Sequence, residues 1–229
     1  MKRCSYSVVR QEGICLTETE IKLSCESRAR LLSAFSDDLI QGAAVAPAET
    51  LDMRSVYYDT ADHALHAAHC ALRFRSENGV GRITVKTDPP GADAVSGVPG
   101  LAVHGEYECA AESLAEGLPR LLPLLPSATA IILTKLLPDI EPIASVEFRR
   151  IEQVACVSGA VIAFALDDGF VNDCPAASFF VLEAELKHGS AGTLRSVCAG
   201  LSEKYALSPV ETSKLRRALD HRAHKSPDV

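Results

Sequence analysis

The segment Glu18-Thr19-Glu20-Ile21-Lys22-Leu23 carries a charged side chain at every second position. Side chains two apart on a β-strand point to the same face and lie roughly 6.6 Å apart. If the segment is a strand, Glu18, Glu20 and Lys22 therefore form a line on one face. Charged groups need water or opposite charges around them, so the surroundings of this face decide the fold.

The same alternation recurs later in the chain. It is found in Leu72-Arg73-Phe74-Arg75, Arg82-Ile83-Thr84-Val85-Lys86, Glu106-Tyr107-Glu108 and Leu182-Glu183-Ala184-Glu185-Leu186-Lys187. A single strand of this kind is typical of a solvated outer face over an apolar core. Five such strands, with both signs of charge and with helices that also need a packing surface, leave a second arrangement equally open. In that arrangement the apolar faces lie outward under helices, and the charged faces line a closed barrel.

The chain of 229 residues is expected to form a single domain, with a core from about residue 14 to 219 and a short disordered C-terminal tail. Period-two segments predict strands at 14–23, 53–59, 71–75, 81–87, 103–110, 143–155, 160–168 and 178–187. Helical patterns occur at 26–39, 61–69, 114–125, 191–205 and 211–224, and the Gly/Pro-rich stretch 88–100 predicts a long mobile loop. The helices are too few and too unevenly placed for βαβ units, so we predict an α+β fold with a mainly antiparallel sheet and helices packed outside.

Charge, hydropathy and cysteine usage exclude several classes of protein. The net charge of -7 argues against sequence-independent binding of nucleic acid, which needs a surplus of Lys and Arg. No apolar run approaches the roughly 20 residues that span a bilayer, so no membrane association is expected. The eight cysteines are scattered without a C-x-x-C pair, which predicts reduced, mostly buried thiols and a cytoplasmic location.

The ordered set of charged segments resembles the CYTH superfamily, also called triphosphate tunnel metalloenzymes. That family includes inorganic triphosphatases, thiamine triphosphatases and class IV adenylate cyclases. The matching motifs are Glu18-x-Glu20-x-Lys22, Tyr57-Tyr58-Asp59-Thr60, Leu72-Arg73-Phe74-Arg75, Thr84-Val85-Lys86-Thr87, Glu106-Tyr107-Glu108, Arg149-Arg150, Leu166-Asp167-Asp168-Gly169, Glu183-Ala184-Glu185 and Ser213-Lys214-Leu215. The resemblance covers roughly residues 14–219. It implies an eight-stranded closed antiparallel barrel, a tunnel with a charged lumen and helices outside.

The resemblance also implies roles for individual residues. Catalysis would rest on Glu18, Glu20, Lys22 and Lys86. The phosphates would be bound by Lys22, Arg73, Arg75, Lys86, Arg150 and Lys214. One or two Mg²⁺ or Mn²⁺ ions would be held by Glu18, Glu20, Asp167, Glu183 and Glu185, with Glu106 and Glu108 in support. Hard carboxylate oxygens suit these ions, and a metal-activated water would cleave the phosphoanhydride bond of a linear triphosphate.

This sequence departs from the family pattern at one position and leaves another open. His104 stands where the family often has Arg, so the phosphate contact there is expected to be weaker or dependent on pH. The motif register favours Arg150 as the lumen residue of its strand, whereas the alternation of Val146 and Phe148 favours Arg149. A β-bulge would reconcile the two, and we predict Arg150.

Some of these positions also have a purely structural explanation. Glu106 could pair with an Arg of the neighbouring strand. Asp59 and Thr60 predict a turn or a helix cap. Lys187, close to Gly189 at a strand end, is expected to lie in solvent, and we leave it out of the site.

The expected substrate is an inorganic triphosphate or an organic one such as thiamine triphosphate or a nucleotide. The alternatives are an adenylate cyclase that makes cyclic AMP from ATP, and a non-catalytic module that binds polyphosphate or nucleotide. Both Glu-x-Glu pairs are intact, which favours metal-assisted chemistry over binding alone. We expect a monomer or a homodimer.

Overall fold

The computed structural model describes residues 16–88, 99 and 101–225, and within them eight strands close into one antiparallel barrel. The strands are β1 (Leu16–Ser24), β2 (Glu49–Asp59), β3 (Cys70–Glu77), β4 (Val80–Thr87), β5 (Leu101–Ala110), β6 (Glu141–Val157), β7 (Ala160–Val171) and β8 (Cys174–His188). Around the barrel they follow the order β5-β4-β3-β2-β6-β7-β8-β1, and β1 pairs with β5 to close the sheet. A short extra strand, β9 (Ser208–Pro209), pairs with the end of β1. The predicted closed barrel is confirmed.

Seven α-helices accompany the strands in the described part of the chain. They are α1 (Arg28–Phe35), α2 (Asp38–Gln41), α3 (Ala64–Ala67), α4 (Leu114–Leu121), α5 (Ser127–Leu136), α6 (Ala191–Tyr205) and α7 (Lys214–Lys225). None of the described helices is long and apolar enough to cross a membrane. Asp59 is a cap, as predicted: its carboxylate accepts from the amides of Leu65 and His66 in α3.

The apolar faces of the strands lie outside the barrel, under helices. One cluster joins β1, β7 and β8 to α1, α2 and α6, with Leu23, Phe164 and Leu182 fully buried. Another joins β3, β4 and β5 to α3, α4 and α5, with Leu72 and Ile83 at its centre. Because side chains alternate across a strand, the charged faces of these strands point into the lumen. The second of the two arrangements, in which the charged faces line a closed barrel, is therefore the correct one.

Part of the lumen is apolar, and α7 packs there. Val146, Phe148 and Phe179 form a buried cluster with Ala218 of α7. At the β7–β8 turn, the Asn172 side-chain amide donates to the Ala218 carbonyl, which holds α7 at this end of the barrel. The interior is thus apolar where α7 packs and charged elsewhere.

Several predicted helix and strand limits differ from those of the structure. The helix predicted at 26–39 is divided into α1 and α2, because Asp37 leaves helical geometry and caps α2 through the Leu39 amide. The helix predicted at 211–224 is α7, which begins at Lys214 and ends at Lys225, beyond the core limit of about residue 219 that we expected. Residues 14–15 of the first predicted strand, most of the 88–100 loop and residues 226–229 lie outside the described residues.

Candidate active site

The strand register brings charged residues from neighbouring strands together in the lumen. Lys22 lies opposite Glu183, and Glu20 lies opposite Glu185, in the β1–β8 pairing. Directly opposite residues of an antiparallel pair point to the same side of the sheet. The local alternation and the register together therefore produce one continuous charged wall.

The first group, the Lys86 cluster, consists of Glu18, Arg73, Lys86 and Glu106. The Lys86 ammonium pairs with the Glu18 carboxylate and lies 3.6 Å from Glu106 Oε1, to which Arg73 Nη2 donates at 3.3 Å. Burial favours the neutral form of Glu18, but Lys86 outweighs it and lowers the pKa of Glu18 to about 2. The cluster is therefore ionised, and Glu106 does pair with a neighbouring Arg.

The second group, the Arg150 cluster, consists of Arg150, Asp167, Glu183 and Lys214. Arg150 donates to both oxygens of Asp167 at 2.7 and 2.8 Å, and to Glu183 Oε2 at 2.6 Å. Lys214 Nζ, on α7, lies 2.6 Å from Glu183 Oε1 and 2.7 Å from Asp167 Oδ2. Burial opposes ionisation of Glu183, yet Lys214 and Arg150 hold its pKa well below the usual range. This arrangement fixes the start of α7 to the barrel wall.

Carboxylates crowd together between these two clusters. Glu20 pairs with Lys22 at 2.5 Å, and Glu185 pairs with Lys187 at 2.5 Å. Burial raises the pKa of Glu185 to about 7, and the charge of Glu18 adds to the rise although Lys187 opposes it. Glu185 thus lies within electrostatic reach of Glu18, although Glu18, Glu20 and Glu185 each have a Lys partner.

The third group, the Arg82 cluster, consists of Arg75, Glu77, Arg82 and Glu108. Arg75 Nη2 lies 2.5 Å from Glu77 and 3.7 Å from Glu108, and Arg82 Nη1 donates to Glu108 at 3.2 Å. The Nε atoms of Arg73 and Arg75 are buried and have no acceptor among the residues that the structure describes. Buried N–H groups in proteins are nearly always hydrogen-bonded, so these donors mark space for an acceptor that the chain itself does not supply.

The structure places every predicted site residue on the lumen face. These residues are Glu18, Glu20, Lys22, Arg73, Arg75, Lys86, Glu106, Glu108, Arg150, Asp167, Glu183, Glu185 and Lys214. Their catalytic, metal-binding and phosphate-binding roles stay predictions.

Four further lumen residues were missed: Glu77, Arg82, Glu152 and Lys187. Glu77, Glu152 and Lys187 lie two positions from a predicted site residue on their own strands, and Arg82 lies four positions from Lys86, so the alternation could have found them. Lys187 was expected in solvent. It points to the same face as Glu185, and its side chain is 31% exposed.

The choice between Arg149 and Arg150 is resolved in favour of Arg150. Arg149 lies outside, exposed and 3.7 Å from Asp52. The predicted bulge is absent: β6 pairs with β2 and β7, all fully described, without a register shift between Val146 and Glu152. The alternation favoured Arg149 because Val146 and Phe148, being apolar, were assigned to the outer face. Both residues in fact lie in the lumen, buried against α7.

His104 lies opposite Glu18 in the β1–β5 pairing and is partly buried. Burial and the charge of Lys86 lower the pKa of His104 below its usual range. The imidazole is therefore neutral at pH 7. A neutral ring can donate one hydrogen bond to a phosphate but lacks the charge of the Arg that the family often has.

The carboxylates suit a divalent cation in their chemistry, but they are engaged by amines in this structure. Among the described residues, no three His, Cys, Asp or Glu side chains are arranged to hold a metal ion. Glu18, Glu20 and Glu185 nevertheless offer hard oxygen donors from adjacent positions of β1 and β8, and their mutual repulsion would be relieved by a cation. The donor set therefore fits Mg²⁺ or Mn²⁺ once Lys22, Lys86 and Lys187 turn to another anion.

Known proteins share this fold. A Hippeastrum protein, HpAC1, named as an adenylyl cyclase and described as having a dominant triphosphatase activity, aligns with a TM-score of 0.57 and 18% identity, over 92% of this chain and 97% of that one. A Bacillus halodurans protein that carries the name of an adenylate cyclase aligns with a TM-score of 0.54 and 16% identity, over 88% of this chain and 97% of that one. The PH1819 protein of Pyrococcus horikoshii aligns with a TM-score of 0.52 and 14% identity, over 90% of this chain and 99% of that one.

At these identities the three structures support the fold alone. The family model described as the CYTH domain matches residues 16–219, which is most of the chain. The order of its motifs, the closed barrel and the charged lumen agree with that match. This chain belongs to the CYTH family.

Proposed function

We propose that the barrel hydrolyses a phosphoanhydride bond of a linear triphosphate with the help of Mg²⁺ or Mn²⁺. The observation that carries this proposal is the lumen itself. Buried Lys and Arg side chains converge on it from five strands and α7, and the Nε donors of Arg73 and Arg75 still lack an acceptor in the described structure. A compact, strongly charged anion with many oxygens matches such a wall better than a neutral ligand does.

Binding would proceed by exchange of partners in the lumen. Lys22 and Lys86 now neutralise Glu20 and Glu18. A triphosphate would offer its own oxygens to these ammonium groups, and the carboxylates released would then face the divalent cation. Because charge is exchanged within the lumen, neither sign is left buried without a partner.

Within this arrangement the residues position and neutralise the substrate. Arg73 and Arg150 would bind phosphate oxygens as forks, and Lys22, Lys86 and Lys214 would act as point charges. Phosphoryl transfer needs mainly positioning and neutralisation of the equatorial oxygens, which these cations supply. A cation bound by Glu18, Glu20 and Glu185 would lower the pKa of the attacking water. Asp167 and Glu183 would chiefly hold Arg150 and Lys214 in place, and the metal-binding role predicted for them stays a prediction.

A cyclase is the second candidate, because two of the similar structures carry that name. The description of HpAC1 puts triphosphatase activity first, which supports hydrolysis as the leading candidate here. A binding module without catalysis would not need the crowded carboxylates Glu18, Glu20 and Glu185. We further propose a cytoplasmic location, in keeping with Cys70 and Cys198, which are buried thiols whose pKa burial raises to about 12.

One assay separates the three candidates. Purified protein is incubated with Mg²⁺ or Mn²⁺ and, separately, with tripolyphosphate, thiamine triphosphate or ATP, and both phosphate and cyclic AMP are measured. We expect metal-dependent release of phosphate from at least one triphosphate. Formation of cyclic AMP without release of phosphate would show that the protein is a cyclase and not a hydrolase. Binding without either product would leave the non-catalytic module.

A further inference from the structure

Two carboxylates of the lumen, Glu20 and Glu185, lie directly opposite each other in the β1–β8 pairing. Their neighbours at the same level of the barrel are Ala102 of β5 and Ala163 of β7. Directly opposite residues point to the same face, so both alanines border the lumen beside the carboxylates. The small alanine side chains leave room for a cation in front of the two carboxylates, where ammonium groups of the chain now lie.

Lys187 is the ammonium group with the fewest ties to this wall. Its Nζ lies 2.5 Å from Glu185 Oε1, and among the described residues no second carboxylate lies within ion-pair distance of it. Lys86, in contrast, pairs with both Glu18 and Glu106. Lys187 therefore gives up a single partner when it moves, whereas Lys86 gives up two.

Lys187 also has a path to water. It lies two residues beyond the last position at which β8 pairs with β1, and β8 itself ends at His188. Its side chain is 31% exposed, compared with 13% for Lys22, which pairs with Glu20. A Lys side chain near the surface can keep its methylene groups on the wall while its ammonium group moves into water. Lys187 can thus release its carboxylate without the help of a substrate, whereas the more buried Lys22 needs another anion beside it.

We propose that Lys187 is an internal competitor of the divalent cation. Its ammonium group takes the place of the cation at Glu185, and it moves out to water and the anions dissolved there when Mg²⁺ or Mn²⁺ binds. The inference rests on the proposed function in that Glu185 must be one of the donors to the cation. It adds an order of binding: the cation can enter before the phosphates, which are needed only to release Lys22 and Lys86. Lys187 is a positioning residue, because it acts on the cation through Glu185 and does not contact the substrate.

The test measures binding of Mn²⁺ in buffer without any phosphate compound. The electron paramagnetic resonance signal of free Mn²⁺ gives the dissociation constant for the parent protein, Lys187→Gln, Lys187→Arg and the control Lys135→Gln. Lys135 is exposed in the last turn of α5, outside the barrel, so its loss removes the same charge at a distance from the lumen. Unfolding midpoints without metal show whether each variant is folded. A purely structural role of Lys187 would change these midpoints and not raise the affinity for Mn²⁺.

We expect Lys187→Gln to bind Mn²⁺ about tenfold more tightly than the parent and Lys135→Gln do, because the cation no longer displaces a charged hydrogen bond. Lys187→Arg should bind Mn²⁺ about threefold more weakly than the parent, since a guanidinium fork can hold both oxygens of Glu185. This second variant decides the matter if Lys187→Gln does not fold.

Equal affinities of the parent, Lys187→Gln and Lys135→Gln would overturn the inference and leave the cation site of the proposed function in place. Failure of every variant to bind Mn²⁺ at millimolar concentration would overturn it too, because the cation would then need the phosphates in order to enter. The proposed function is judged separately by metal-dependent release of phosphate. A gain of affinity in Lys187→Gln supports the inference whether or not triphosphate is hydrolysed.

Discussion

At the scale of single residues, Asp167 and Asp168 show how position alone decides what a carboxylate does. Asp167 is fully buried in the lumen between Arg150 and Lys214. Asp168 points outward and pairs with Arg28, and both of those side chains are about half exposed. Burial without partners would cost far more for the first carboxylate than for the second, because water screens the exposed pair.

Asp167→Asn is expected to lower the free energy of unfolding by about 3–5 kcal/mol, because it leaves buried cations short of a partner. Asp168→Asn, one residue away, should cost no more than about 1 kcal/mol. Urea denaturation of both variants measures the difference. Equal losses would mean that the Arg150 cluster is not buried as the structure shows.

The catalytic proposal is tested by Glu18→Gln/Glu20→Gln, which keeps side-chain size and removes two charges. We expect metal-dependent triphosphate hydrolysis to fall at least about a hundredfold, because the oxygens that would hold the cation become neutral. Glu147→Gln, which breaks a pair with Arg54 on the outer face, serves as the matched control. Hydrolysis at the parent rate in the double variant would show that these carboxylates do not assist the chemistry.

At the scale of secondary-structure elements, short helices depend on side chains supplied from elsewhere. Asp37 caps α2 and also binds Lys204 and Tyr205, at 2.6 and 2.7 Å, near the end of α6. Hydrogen bonds from Lys204 and Tyr205 lower the pKa of Asp37 to about 2. One carboxylate therefore connects α2 with α6 over the outer face of the barrel.

Asp37→Asn should make the protein less stable than the parent at pH 7, because the neutral amide lacks the charged bond to Lys204. The folded pKa lies below the ordinary value of 3.8, so this stabilisation is complete above pH 4 and is lost as the pH falls towards 2. Unfolding midpoints measured from pH 7 to pH 2 should converge at the acid end. A difference that stays constant over this range would assign the effect to packing and not to charge.

The elements also show where local patterns are sufficient. The period-two pattern predicted each barrel strand, and α6 has the limits 191–205 that were expected. Helix α5 was not predicted, because Ser127–Leu136 contains β-branched Thr and Ile, which disfavour helix, and Ile131 on its surface is exposed and apolar. It forms because Leu133 is buried against the outer face of the barrel.

At the scale of the whole molecule, pairing of β1 with β5 converts a sheet into a closed lumen. Closure removes the sheet edges and brings carboxylates and cations from all sides within reach of one another. The charges of the lumen are neutralised mainly by ion pairs within it. The Nε groups of Arg73 and Arg75 lack an acceptor in the described structure, and the pKa of Glu185 is raised. A ligand that completes these pairs should stabilise the entire barrel.

Tripolyphosphate should therefore raise the unfolding temperature in metal-free buffer, whereas an equal concentration of sulfate should not. At a hundred times the dissociation constant the gain is about 2.7 kcal/mol in the free energy of unfolding. Thermal scans over a range of concentrations measure this linkage. An unchanged midpoint at millimolar tripolyphosphate would contradict binding within the lumen.

The sequence by itself determined which residues share a strand face, because alternation follows from the backbone geometry of a strand. It also determined the ordered set of motifs that identifies the family. Only the tertiary structure decided which face lies inside, since that depends on closure between β1 and β5 and on the helices that cover the outer face. The same holds for Arg150: its place in the lumen follows from α7, which buries Val146 and Phe148 within the barrel, and no local pattern can show a contact made with a helix some seventy residues later in the chain.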